Sequence, residues 1–260
     1  MDRQLPYQLS YKTLKSCRKV ETIFLWSTFI CSILSTLFQI YKNECCFIDC
    51  LNSLINFINY ISIIGYGLLY IIVEIIMQPM VAKERRKGFI DNSLGTKLLG
   101  KPVTNYYDND SLDLGMYKLL VNCFENCHFT YHIIRKMMMC VILKNLSLCI
   151  LLIVFAYWGI QSNILSIPIL QLFISSLFLF ELAYHISFYI KLKYLYEQFQ
   201  SIFNKRLTKK ESENQAVYMV LEYETALAYN KSPNSDSVYQ KMRKQLTDEW
   251  NELKKTYNIQ

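Results

Sequence analysis

The chain has 260 residues, of which 52% are hydrophobic and 19% charged, with a formal net charge of +7. Soluble domains carry roughly 25% charged residues, and the deficit here is uneven: no Asp, Glu, Lys or Arg occurs in residues 22–41, 50–73 or 145–180. A helix crosses the bilayer core with about 20 mostly apolar residues, so these runs exclude ordinary soluble globular folds, coiled coils and disordered chains.

Taken in chain order, residues 1–21 read as a basic cytoplasmic N-terminus and residues 22–78 as a first transmembrane hairpin. Its helices cover 22–40 and 51 to about 77. A cytoplasmic helical insert follows over 79–136, then a second transmembrane hairpin over 137–190 and a cytoplasmic helical tail over 191–260. The third apolar run is too long for one crossing, and Tyr157 to Asn163 followed by Pro168 carries turn and helix-start chemistry. Two helices, about 138–159 and 165–190, are therefore expected there. The fold class is an all-α integral membrane protein with four spans in two hairpins and cytoplasmic helical extensions. Lys and Arg fix its direction. Arg3, Lys12, Lys15, Arg18 and Lys19 precede the first span, Lys83, Arg85, Arg86 and Lys87 follow the second, and Arg135 and Lys136 precede the third. Lys191 and Lys193 follow the fourth, and Lys42 stands alone at the hairpin tips. Both termini are expected in the cytoplasm. The first span lacks the cleavage site of a signal peptide.

Polar groups within a bilayer are costly and mark function by default. Asn52, Asn56 and Asn59 share one face of the second helix, and that face continues through Tyr66 and Tyr70 to Glu74. The first helix carries Thr28, Ser32, Ser35 and Gln39 in the same rhythm. Two readings stand: the six residues of the second helix line a pore, or the amides and hydroxyls join helices in a dry bundle. In the second hairpin, Lys144 and Glu181 lie equally far from the tip and are expected to pair, with His185 one turn away. A structural ion pair and a proton relay both fit that placement.

In the insert, residues 81–99 are expected to prolong the second helix, with a loop over 100–110 and a new helix from about Ser111. In the tail, Thr208-Lys209-Lys210-Glu211 matches a capping box opening a helix to about Tyr229. A last helix from Ser237 to about Tyr257 carries Tyr239, Met242, Leu246, Trp250, Leu253 and Tyr257 as one apolar stripe that needs a partner surface. The basic residues Lys83, Arg85, Arg86, Lys87, Lys205, Arg206, Lys209 and Lys210 suit anionic lipid or a phosphate-rich ligand. Cys123-x3-Cys127-His128-x3-His132 has metal-like spacing, but four tetrahedral ligands from one helix are awkward, and no metal site is expected. The nine cysteines give no disulfide framework: most read as small apolar fillers, and only Cys45, Cys46 and Cys50 lie at an external tip where oxidation is possible. There is no phosphate-cradling Gly-rich loop, Gly-x-Ser-x-Gly or His-Glu-x-x-His, so neither an enzyme nor a cofactor is expected.

The layout of basic N-terminus, hairpin, insert, hairpin and amphipathic tail carries a juxtamembrane segment, Ala82-Lys83-Glu84-Arg85-Arg86-Lys87-Gly88-Phe89-Ile90-Asp91-Asn92. It resembles the four-transmembrane, SLATT-related pore-forming effectors that accompany bacterial nucleotidyltransferases in anti-phage operons, Hailong-type membrane effectors most closely. The resemblance implies a homo-oligomer, a tetramer by preference, in the lipid bilayer of the bacterial inner membrane. It further implies control by a nucleotide or oligonucleotide signal from a partner nucleotidyltransferase, and depolarisation that arrests the infected cell. A non-conducting membrane anchor that recruits a cytoplasmic partner, and a small proton-coupled transporter, are the competing expectations.

Overall fold

In the computed structural model the described residues are 8–40, 46–100, 107, 109–160, 177–205, 208–229 and 236–259. All regular structure among them is helical, without a strand. Helix α1 is Gln8–Ile40. Helix α2, Cys46–Ile71, runs without a break through a π-helical segment, Ile72–Met77, into α3, Gln78–Leu94. Helices α4 (Met116–Ile160), α5 (Leu177–Asn204), α6 (Lys209–Tyr229) and α7 (Asp236–Thr256) complete the order.

The π segment has a local cause. Pro79 lacks an N–H, and its ring would clash with the carbonyl four residues back in a regular helix. Widening the preceding turn relieves the clash, and the Gln78 N–H bonds the Val73 carbonyl, five residues back. The rod therefore continues past a proline that would otherwise break it. Helix α3 stops at Leu94, short of the expected residue 99. Gly95 takes φ +71° and its N–H bonds the Asp91 carbonyl at 2.9 Å, a left-handed cap. Helix α4 opens at Met116, later than the expected Ser111, because residues 109–115 are spent on a turn: the Leu112 N–H bonds the Asn109 carbonyl and the Gly115 N–H bonds the Ser93 carbonyl. The capping box at α6 is formed, with the Thr208 N–H and hydroxyl on the Glu211 carboxylate at 2.9 and 2.7 Å. Those two bonds hold the exposed carboxyl of Glu211 below its ordinary range.

The chain divides into two compact units. One gathers Ala82–Leu143 and Phe180–Gln260. Its core joins Phe89 of α3, Leu120, Phe124 and Ile134 of α4, Leu192, Leu195 and Phe199 of α5, Met219 and Tyr223 of α6 and Trp250 of α7. Phe124 is the hub: its ring stacks on Phe199 and Phe203 at 5.2 and 5.3 Å and meets Trp250 edge-on at 5.2 Å, geometries that aromatic quadrupoles favour. The stripe on α7 finds its partner surface here, for Leu246 and Trp250 are fully buried and Leu253 and Tyr257 pack against the same core.

The other unit gathers Leu9–Val81 with Lys144–Leu179. Two helical stretches, Leu9–Phe38 and Phe47–Leu94, are long and apolar enough to cross a membrane, and only 17% and 11% of their most apolar windows is buried inside the chain. The core helix of a soluble protein would be mostly buried, whereas Ile23, Ile30 and Leu37 of α1 and Phe57, Ile64 and Leu68 of α2 are exposed. These two stretches meet the length and apolarity of a crossing among the described residues. The tip expected between a third and fourth span, residues 161–164, lies outside them, as does the expected start of the fourth.

Candidate functional site

The polar faces of α1 and α2 meet each other. The Ser35 hydroxyl lies 2.9 Å from Asn52 Oδ1 and 2.8 Å from Asn56 Oδ1. One turn along, Asn59 Nδ2 donates to Ser32 Oγ at 3.3 Å, and about one turn further the Ser27 and Ser62 hydroxyls meet at 3.0 Å. Ser32 and Thr36 hydroxyls also bond carbonyls four residues back. The pattern follows from helical spacing: residues three and four apart share a face, and an amide in an apolar surround takes the nearest partner because leaving it bare costs several kcal/mol. Asn52, Asn56 and Asn59, for which pore lining and helix joining both stood as readings, thus turn toward α1 within the hairpin and hydrogen-bond it. Asn59 Oδ1 stays buried without a hydrogen-bond partner. Tyr66 and Tyr70 lie side by side, rings 6.1 Å apart. Glu74, inside the π segment, accepts from Arg18 Nη2 at 3.0 Å, and the same nitrogen reaches Gln78 Oε1 at 2.8 Å. Arg18 was expected as a positive-inside anchor; here it also clasps α1 to the widened turn.

Lys144 is exposed, and the Glu181 side chain lies outside the described residues. His185 is fully buried, its Nε2 donating to the Ile134 carbonyl at 3.1 Å, a tie between α5 and α4. This bond gives His185 a structural role.

The basic residues divide by environment. Arg85 is bonded to Glu224 of α6 in a largely buried pair, so its guanidinium fastens α3 to α6. Lys83, Lys205 and Lys210 are exposed, Arg86 and Lys87 partly so. Arg206 and the Lys209 side chain lie outside the described residues. A cleft of about 450 Å³ is lined by Asn109, Ser111, Leu112, Asn251, Lys254 and Lys255 among others. Sequence reasoning did not single out these two lysines, because they fall in the last turn of an amphipathic helix, where lysine is ordinary.

The juxtamembrane motif has an internal role. Burial pushes the Asp91 carboxyl up, but the Thr96 hydroxyl, the Leu98 and Leu99 amides and Lys87 outweigh it and hold it below the usual range. Those bonds, at 2.5 to 2.8 Å, wrap residues 95–99 around one carboxylate. Beside it, buried Asn122 of α4 donates to Asn92 Oδ1 and Ser93 Oγ, each at 3.0 Å. Asn109 Nδ2 in turn donates to Asn122 Oδ1 at 2.9 Å and to Glu125 at 2.7 Å. The network locks the α3–α4 loop. Asn122 and Glu125, three residues apart on α4, were its visible trace in the sequence.

The metal-like motif on α4 comes apart into two pairs. Cys123 and Cys127 are buried, burial pushes both thiols up, and Cys127 Sγ approaches the Leu192 carbonyl at 3.9 Å. His128 and His132 instead stand together, ring centroids 4.6 Å apart, with Glu249 of α7. His128 is 1% exposed. Burial first, then neighbouring His132, lowers its pKa to about 3, against the approach of the Leu246 backbone, which raises it, so the ring is neutral. No family model matches the chain, and no curated protein or solved structure does either.

Proposed function

We propose that this chain is the subunit of an oligomeric ion channel in the bacterial inner membrane, with four crossings and both termini in the cytoplasm. A nucleotide-derived signal from a partner nucleotidyltransferase governs it, and its opening depolarises the membrane in anti-phage defence. The observation that carries the reading is the clasp of Arg18 on Glu74 and Gln78 at the π-helical turn. π turns inside α-helices recur at functional sites, and this one lies at the end of a hairpin seamed by polar groups. Loosening it lets α2 slip against α1, so that Asn52, Asn56 and Asn59 exchange Ser32 and Ser35 for water. One four-helix bundle fills its own centre with side chains, so the aqueous path needs several copies around an axis, a tetramer by preference. The cleft with Lys254 and Lys255 offers the anionic signal a concave basic seat, and the signal acts by binding one state better than the other.

The test is current through planar bilayers holding the purified full chain, with short oligonucleotides as the probe. Discrete conductance steps are expected, with Arg18→Gln and Glu74→Gln raising open probability about tenfold, the effect of about 1.4 kcal/mol. Lys254→Glu with Lys255→Glu should remove the oligonucleotide response and leave unit conductance unchanged. Absence of current under every condition would overturn the channel. It would leave the second reading, a non-conducting anchor whose helical unit recruits a partner, which the internally bonded asparagine seam favours.

A further inference from the structure

We infer that His128 and His132 of α4 with Glu249 of α7 form a binding site for a divalent transition metal of the zinc class. The ligand atoms of the three side chains lie within 4.8 Å of one another, and His128 Nε2 stands 3.8 Å from Glu249 Oε2. In a zinc tetrahedron neighbouring ligand atoms are about 3.3 Å apart, so side-chain adjustments of around 1 Å close the set. The difficulty of drawing four ligands from one helix disappears, because the third comes from another helix and the cysteines take no part.

Four observations point to a ligand. The buried His128 ring makes no hydrogen bond of good geometry, only a looser approach to the Leu246 backbone, and His132 Nε2 has no partner; buried polar atoms are seldom left so. The two histidines are four residues apart, on one face of α4. Gln245 Nε2 donates to Glu249 Oε1 at 2.8 Å, which leaves Oε2 toward the histidines, as outer-shell donors orient metal-bound carboxylates. The side chain of Glu249 is 38% exposed, so the fourth position is open to water. Two imidazoles and one carboxylate suit zinc-class metals over magnesium or calcium, which prefer all-oxygen sets. The metal would fasten α7 onto α4, with its binding energy added to that of folding.

The experiment uses the full chain in detergent, stripped with chelator and titrated with zinc or cobalt, and its readouts are independent of conductance. One equivalent should bind, cobalt should give the intense visible absorption of a tetrahedral site, and zinc should raise the melting temperature. Glu249→Gln and His132→Ala, both at partly exposed positions, should each weaken binding at least about 10-fold, and Gln245→Ala about 10-fold. His128→Ala risks the fold, so these variants carry the test. Cys123→Ser with Cys127→Ser should leave the cobalt spectrum unchanged. No saturable binding to the wild-type chain, or binding indifferent to Glu249→Gln and His132→Ala, would overturn the site.

Discussion

Asn122 serves three partners from one buried side chain: Asn92, Ser93 and Asn109. Replacing it with Ala strands polar groups that water cannot reach, and each stranded group costs about 1–3 kcal/mol. We expect Asn122→Ala to destabilise the helical unit by about 3 kcal/mol, read as a shift in the denaturation midpoint of the purified chain. Asp91 sets a pH dependence. Its carboxyl is held below the ordinary range in the folded chain, so the unfolded chain takes up a proton first as pH falls. The stabilisation is complete above the unfolded carboxylate pKa of about 4 and is lost as pH drops through the folded value. Melting curves from about pH 5 to about pH 3 should fall less steeply for Asp91→Asn than for the wild type. At pH 7 the variant should already be weaker, since an amide cannot accept from both backbone N–H groups and the threonine with both oxygens.

At the scale of elements, the seam between α1 and α2 rests on Ser35, whose hydroxyl faces two asparagine oxygens. Ser35→Ala should weaken the hairpin by about 1 kcal/mol, the typical worth of a polar contact between membrane helices, measured as altered unfolding of the chain in mixed detergent. That α1 and α2 are apolar helices bearing polar stripes was legible, because periodicity and charge-free length are local properties. What each stripe faces was not, because spacing places Asn52, Asn56 and Asn59 on one side of a helix without naming the neighbour. The capping box at Thr208 was legible, being a contact between residues three apart. The ends of α3 and α4 were not, since they depend on Asp91 capturing Leu98 and Leu99 and on Ser93 receiving the Gly115 N–H. The histidine pair could be seen on α4, but Glu249 lies more than a hundred residues away in the chain, and only tertiary packing brings it near.

For the whole molecule, the division into a greasy unit and a close-packed helical unit matches the uneven distribution of charge along the sequence. One feature of the fold constrains how any motion travels. From Cys46 to Leu94 the backbone is helical without a loop. At 1.5 Å per residue such a rod is about 70 Å long, more than twice the roughly 30 Å of hydrocarbon it would cross. A continuous helix resists bending and stretching far better than a loop does. Torque or thrust applied to its far end has few places to dissipate. The compliant point is the widened turn before Pro79, whose extra residue, if given up, turns the helical register by about 100°, the angular step of one residue.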